Sequence, residues 1–332
     1  MLAPNQERCR ELAAKLRQVQ VLPDEFLIRP ESQEERSREA NFWFYTVAIC
    51  QHTKSLQGTL EGRWLRGWDY MVTAGRRAMT RDAQVFIAER MRGITSQGLR
   101  TLYSDDGQPS HSTLDRVEER AEQLHQCAQL LLEDYDGDVM NLYRGAGGRL
   151  RGKGGIMERL AEFEPYSDPV EKKSFLFLMF VSRAGIWHLK DLQNLKVAID
   201  YHIMRIALRS GMVEVHDSAL ERALKERAEV SAEVDNRVRA AVQKACDRLI
   251  AHSGHDVFAV DNILWMMGRN CCFYDHDPFC GPNRCSQKGS CSFIRSIVYD
   301  CPGHCLFDGV CLGSLDGGYR RYWETTLHTS YY

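Results

Sequence analysis

From residue 5 to about 268, apolar residues recur at three- and four-residue steps, the period of helices that bury one face. The pattern predicts an amphipathic helix over 5–20 and a second over 38–52, which carries the run Asn41-Phe42-Trp43-Phe44-Tyr45. A third over 63–78 carries Trp64, Trp68 and Tyr70. The polar stretch 104–110 reads as a loop. A long helix over 113–133 lines up Val117, Ala121, Leu124, Ala128 and Leu131. A short helix over 156–162 turns through 163–167 into another with a strong start signal: Asp168 at the N-cap, Pro169 at N1 and Glu171 at N3 as a capping box. The charged segment 217–247 reads as a solvated outer helix, and 260–269 as a buried helix with one polar insertion. These elements predict an all-α fold.

The 332 residues suffice for one large core or two moderate ones. With 44% hydrophobic and 27% charged residues, the composition is that of an ordinary soluble protein. No apolar run reaches the roughly 18 residues of a membrane span, and the charged amphipathic start does not read as a signal peptide. A net charge of −2 means that any contact with nucleic acid must come from local patches. Four of the twelve cysteines are scattered (Cys9, Cys50, Cys127, Cys246), and the other eight lie between Cys271 and Cys311. In a chain read as cytoplasmic, that clustering points to metal ligation more than to disulfides.

Asp200 precedes a run in which Ile203, Ile206 and Ala207 share a face, the position of an N-cap. The helix dipole and unpaired N–H groups there favour an ionised carboxylate. Such a group is an ordinary cap. It is also what glycosidic C–N cleavage needs, to stabilise a cationic sugar and orient a nucleophile. Lys172 and Lys173 sit at a positive helix start beside Phe175, Phe177 and Phe180, surroundings that disfavour the ammonium form. Either lysine is a candidate nucleophilic amine or a snorkelling surface residue. Asp261 and Trp265, four apart, share a helix face and pair a carboxylate with an indole plane. The stretch 143–155 combines six glycines with Arg144, Arg149, Arg151 and Lys153, a backbone able to approach phosphates or a solvated loop.

Three segments together resemble the helix-hairpin-helix DNA glycosylase superfamily, most closely its archaeal 8-oxoguanine type. DPVEKKSFLFLMF is similar to that family's lysine-bearing helix, KVAIDYHIMRIALRSGMV to its catalytic-aspartate segment and VDNILWMMGRN to its base-contacting helix. The resemblance spans roughly residues 38–270 and implies a two-lobed helical domain over 1–268, with the hairpin at about 154–182. It implies Asp200 as catalytic carboxylate and Lys173 as the Schiff-base lysine, with Lys172 as the alternative. Asp261 and Trp265 would contact a flipped base. Trp64 and Trp68 would line the pocket, and Arg144, Arg149, Arg151 and Lys153 would hold DNA phosphates. The Leu-Pro-Gly-x-Gly hairpin of the wider superfamily is absent, and the interval from Lys173 to Asp200 is short for the family.

After Arg269 the chain becomes a cysteine-rich extension over 269–332. Two four-cysteine frames can be drawn: Cys272, Cys280, Cys285 and Cys291, or Cys291, Cys301, Cys305 and Cys311. Each closes with five residues between its last two cysteines, which resembles the iron–sulfur loop of endonuclease III. Either a [4Fe–4S] cluster or Zn2+ suits so many thiolates, with His276 and His304 as further zinc ligands. Arg284, Lys288 and Arg295 would reach a phosphate backbone. The expected protein is a monomeric, cytoplasmic, nucleoid-associated DNA N-glycosylase. It would excise a modified or oxidised base from double-stranded DNA, with or without AP-lyase activity, and make no membrane contact. The alternatives are a nucleoside hydrolase that salvages a modified base, similar to the queuosine salvage hydrolase, a glycosylase acting on hypermodified phage bases, and a non-enzymatic nucleic-acid binder.

Overall fold

A computed structural model describes residues 1–23, 26–285 and 291–332; Lys288 lies outside them. The described residues are mostly helical, 55% helix against 6% strand. In chain order they form β1 (Leu2–Pro4), α1 (Gln6–Leu16), β2 (Gln20–Val21), α2 (Gln33–Ala48), β3 (Gln57–Leu60), β4 (Arg63–Arg66), α3 (Gly67–Arg81), α4 (Ala88–Arg92), α5 (Ser96–Leu102), α6 (Val117–Tyr135), α7 (Val139–Ala146), α8 (Ile156–Leu160) and α9 (Lys172–Arg183). There follow α10 (Tyr201–Ser210), β5 (Val213–Val215), α11 (Ser218–Glu226), α12 (Ala232–Ser253), α13 (Val257–Asn270), α14 (Ser292–Ser296), β6 (Ile297–Val298), α15 (Leu312–Leu315) and α16 (Gly317–Arg320). The strands make three antiparallel pairs: β1 with β5, β2 with β6 and β3 with β4.

The chain divides into two compact units. One unit joins Met1–Asp24 to Lys196–His328; the other is Glu25–Leu195 with Thr329–Tyr332. The cysteine-rich extension is therefore part of the unit that carries α10 and α13. In that unit α1 lies along α12, and α10 packs against α12 and α13. Gly268 permits the close approach of α13 to α10, since a Cβ there would stand 2.6 Å from the His202 Cβ. In the second unit α2 packs against α6, α7 and α9. Its core is aromatic: Phe44 stacks on Tyr166 at 5.1 Å, and Trp43 stacks on Phe180 at 4.2 Å.

Four sequence expectations are corrected. The helix expected from Asp168 begins three residues later, because Glu171 adopts a left-handed φ of 58° that a helix cannot continue through. Asp168 instead closes a turn, accepting from the backbone N–H groups of Val170 (3.1 Å) and Lys172 (2.9 Å). The segment 63–78 splits into strand β4 and helix α3. The charged segment 217–247 is two helices, broken where Arg227 takes a φ of 56°. Nor is its second half a solvated outer helix: Asp235 and Arg239 are buried and paired at 2.9 Å, and Thr325 donates to the same carboxylate.

Candidate functional site

The first residue of interest is a cap. Asp200 leaves the extended segment 195–199 with β-region backbone, and its Oδ1 accepts the Ile203 backbone N–H at 3.0 Å. The fold explains why a polar residue is tolerated there at 6% exposure: α10 has buried residues on every side, and the cap satisfies an N–H at its start. Asp261 holds the approach to this cap. Its Oδ1 accepts from the Ala198 backbone N–H at 2.8 Å, tying α13 to the segment two residues before Asp200.

A polar and aromatic set surrounds the start of α10. Tyr201 and His202 have ring centroids 4.3 Å apart, and Tyr274 lies 6.4 Å from each. Trp265 meets the His202 ring edge-on at 6.1 Å, and the Arg269 guanidinium lies 5.3 Å above the Trp265 ring. Arg205 Nη2 contacts His202 Nδ1 at 3.0 Å. Because a guanidinium only donates, Nδ1 accepts and the His202 proton sits on Nε2. Arg205, fully buried, also pairs with Glu324 at 2.7 Å and donates to the carbonyls of Cys272 (2.8 Å) and Gly268 (3.0 Å). Burial, and then the Asp200 carboxylate, raise the Tyr201 phenol well above its usual range.

In the other unit Lys173 is completely buried. Its Nζ donates to the Ala48 carbonyl and, at 2.9 Å, to Gln51 Oε1. Burial, with Lys172 and Arg120 adding to it, lowers the ammonium to about 7, the direction the apolar wall implied. Lys172 Nζ reaches Cys50 Sγ at 3.3 Å. Trp68 stacks on Phe180 at 5.3 Å and on Trp43 at 6.2 Å. Trp64, on the β3–β4 hairpin, is 60% exposed. Arg144, Arg149 and Lys153 are exposed. Arg151 is held by Glu171, at 2.6 Å to one carboxylate oxygen and in contact with the other.

The structure therefore joins Asp200, Asp261 and Trp265 around one helix start. It assigns Asp261 a backbone contact that positions Asp200. Lys173, Lys172, Trp64, Trp68 and the cationic loop belong to the other unit. Tyr201, His202, Arg205, Tyr274 and Glu324 were missed. The local signal was present for His202, two residues after an N-cap Asp, but Tyr274 and Glu324 arrive from far along the chain. Among the described residues, no three His, Cys, Asp or Glu side chains are arranged to hold one metal ion. His276 Nδ1 is taken by Asp275 at 2.7 Å, and His304 Nδ1 lies 2.9 Å from Asp308.

A family model described as queuosine salvage protein matches residues 39–272. The chain belongs to the queuosine salvage protein family. The family match covers Asp200, Tyr201, His202, Arg205, Asp261, Trp265 and Lys173 and ends at Cys272, so Tyr274, Glu324 and the rest of the cysteine-rich extension lie beyond it. No curated protein matches the chain. Among the described residues, no helix is long and apolar enough to cross a membrane.

Proposed function

We propose that this chain hydrolyses the N-glycosidic bond of a modified nucleoside of the queuosine kind and releases the base for salvage. Membership of the queuosine salvage family over 39–272, a segment that includes the buried cap Asp200, carries this reading. It favours a small nucleoside over the duplex DNA that the glycosylase resemblance implied.

In the proposed reaction the Asp200 carboxylate faces the anomeric carbon. As the C–N bond lengthens, the departing base takes the bonding electron pair and the sugar gains oxocarbenium character. A fixed anion on a rigid helix start stabilises that charge without reorganisation. The water oxygen forms the new C–O bond and keeps one proton as the sugar hydroxyl; its other proton leaves to Asp200 or solvent, and the base nitrogen takes up one proton in return. His202, neutral with its proton on Nε2, supplies a donor beside this centre. The Lys173 amine is fully buried with a carbonyl and an amide as partners, which supports water over lysine as nucleophile.

The test is release of free base, followed chromatographically, from a panel of modified nucleosides, their nucleotides and lesion-bearing duplexes. Release from nucleoside or nucleotide is expected, with Asp200→Asn lowering kcat about 10²–10³-fold, the scale of losing one preorganised electrostatic group. Asn remains a good N-cap, so the fold should persist. Release only from duplex, or full activity in Asp200→Asn, overturns the proposal.

A further inference from the structure

The eight clustered cysteines play no part in the chemistry above, and the structure sorts them in a way that neither sequence frame anticipates. Cys272, Cys280, Cys305 and Cys311 line one recess of about 300 Å³, its open mouth included; Pro278, Asp308, Gly313, Arg209 and Arg320 complete its wall. Cys285, Cys291 and Cys301 are not among its lining residues.

Each thiol is brought there by backbone contacts that cross the extension. Cys272 lies two residues past the end of α13, its N–H bonded to the Met267 carbonyl at 2.9 Å. The Cys305 N–H reaches the Phe279 carbonyl at 2.7 Å, which sets Cys305 beside Cys280. The Cys311 N–H bonds the Phe307 carbonyl at 2.8 Å, and its Sγ lies 3.6 Å from the Arg209 carbonyl. Gly281 N–H is held by Asp308 at 2.7 Å. Cys271 adds a fifth thiol, hydrogen-bonded to Cys305.

The geometry points to an iron–sulfur cluster bound in this recess by Cys272, Cys280, Cys305 and Cys311. The lining of the recess carries it. Four of the potential donors lining the recess are sulfur, beside the Asp308 carboxylate, and soft thiolates select iron–sulfur clusters, zinc or Cu(I) over hard cations. Among the described residues no three such side chains are arranged to hold one ion, while the four thiols share the lining of one recess. A single tetrahedral ion would need all its sulfurs at about 2.3 Å from it, whereas a cluster spreads its thiolates over several irons. Two cations stand on the wall: Arg209 Nη1 donates to Cys272 Sγ at 3.3 Å, and Arg320 is fixed by the Gly313 carbonyl at 3.0 Å. They offset the negative charge that four thiolates bring. Arg209 is itself held by the Tyr322 carbonyl at 2.8 Å and lies 4.3 Å over the Trp323 ring, so the charge is fixed in place.

Assembly replaces four S–H bonds with four Fe–S bonds and releases four protons to solvent. The cluster has a structural role. Arg205 and Arg209 both project from α10, the helix capped by Asp200, and grip the Cys272 carbonyl and sulfur respectively. The cluster thus braces the C-terminal part of the helix whose start carries the proposed catalytic carboxylate.

The full chain, purified without oxygen and reconstituted with iron and sulfide, should carry about four iron and four acid-labile sulfide per chain, with visible charge-transfer absorbance. Cys272→Ser and Cys305→Ser should each lose most of the iron and the absorbance, whereas Cys285→Ser and Cys301→Ser should keep both. Stoichiometric zinc without sulfide overturns the assignment, as does retention of iron in Cys272→Ser with loss in Cys285→Ser. If the recess variants do not fold, the wild-type metal and sulfide contents still decide the matter, because a chain holding neither refutes the cluster. These readouts are independent of nucleoside hydrolysis, so the two proposals fail separately.

Discussion

Asp261 separates two roles that share one carboxylate. The glycosylase resemblance places it against a base, whereas in the structure it accepts the Ala198 N–H at 2.8 Å and so fixes the segment entering Asp200. Consider Asp261→Ala. Ala198 is 4% exposed, so its N–H would be left buried without this acceptor, at a cost of about 1–3 kcal/mol. Taking 2 kcal/mol, Tm should fall by about 4–8 °C in a protein of this class. The cap would also lose its tether two residues upstream. A displacement on the order of 1 Å in a reacting group can cost about 10²-fold in rate, so kcat should drop steeply with KM little changed. Asp261→Asn keeps a carbonyl oxygen at the same place and should restore most of both. The assay is base release under saturating and limiting nucleoside, alongside thermal denaturation. Normal Tm and kcat in Asp261→Ala, with a raised KM or a changed choice of base, would refute the positioning argument and return Asp261 to the substrate.

Lys173 gives a pH signature. Its folded value of about 7 lies below the ordinary 10.5, so between these limits the unfolded chain binds more protons and stability rises with pH. Urea unfolding should show wild type gaining on Lys173→Met by about 1.4 kcal/mol per pH unit from pH 7 to 10; parallel curves would contradict it. Asp235→Ala, which removes the carboxylate paired with the buried Arg239, should cost about 3–5 kcal/mol in chemical denaturation. Nucleoside hydrolysis should change little between 50 and 200 mM salt, and Arg144→Gln with Lys153→Gln should leave kcat/KM unaltered. A duplex enzyme using these cations would lose on the order of 10³-fold or more in affinity over that range if it contacted six or more phosphates.

The parts of this protein that were legible in its sequence are those set by near neighbours. The N-cap at Asp200 needs only the polar residue and the apolar period that follows, and both are local. The downward shift of the Lys173 ammonium was legible from the phenylalanines on its own helix, whereas its full burial was not, since a snorkelling surface position fitted the same residues. What could not be read depends on distant partners or on backbone choices without a side-chain signature. Strands of two to four residues carry too few alternations to register against a helical background, and β1 pairs with β5 more than two hundred residues away. Glu171 and Arg227 adopt left-handed φ without the glycine or asparagine that would announce it. The grouping of the cysteines depends on distant contacts as well. Spacing groups thiols that are close along the chain, whereas the recess takes Cys272 and Cys280 from one end of the extension and Cys305 and Cys311 from the other.

The discontinuous unit has a consequence for how the protein is made. Residues 25–195 form a nearly self-contained body and can acquire structure as they leave the ribosome. The amphipathic face of α1, synthesised earlier, has its helical partner in α12 and must wait through most of translation with Leu12, Ala13 and Leu16 unburied. That delay exposes an apolar surface to chaperones and to other nascent chains. Expression at lower temperature, or with a holdase present, should therefore raise the soluble yield more than any change to the catalytic residues.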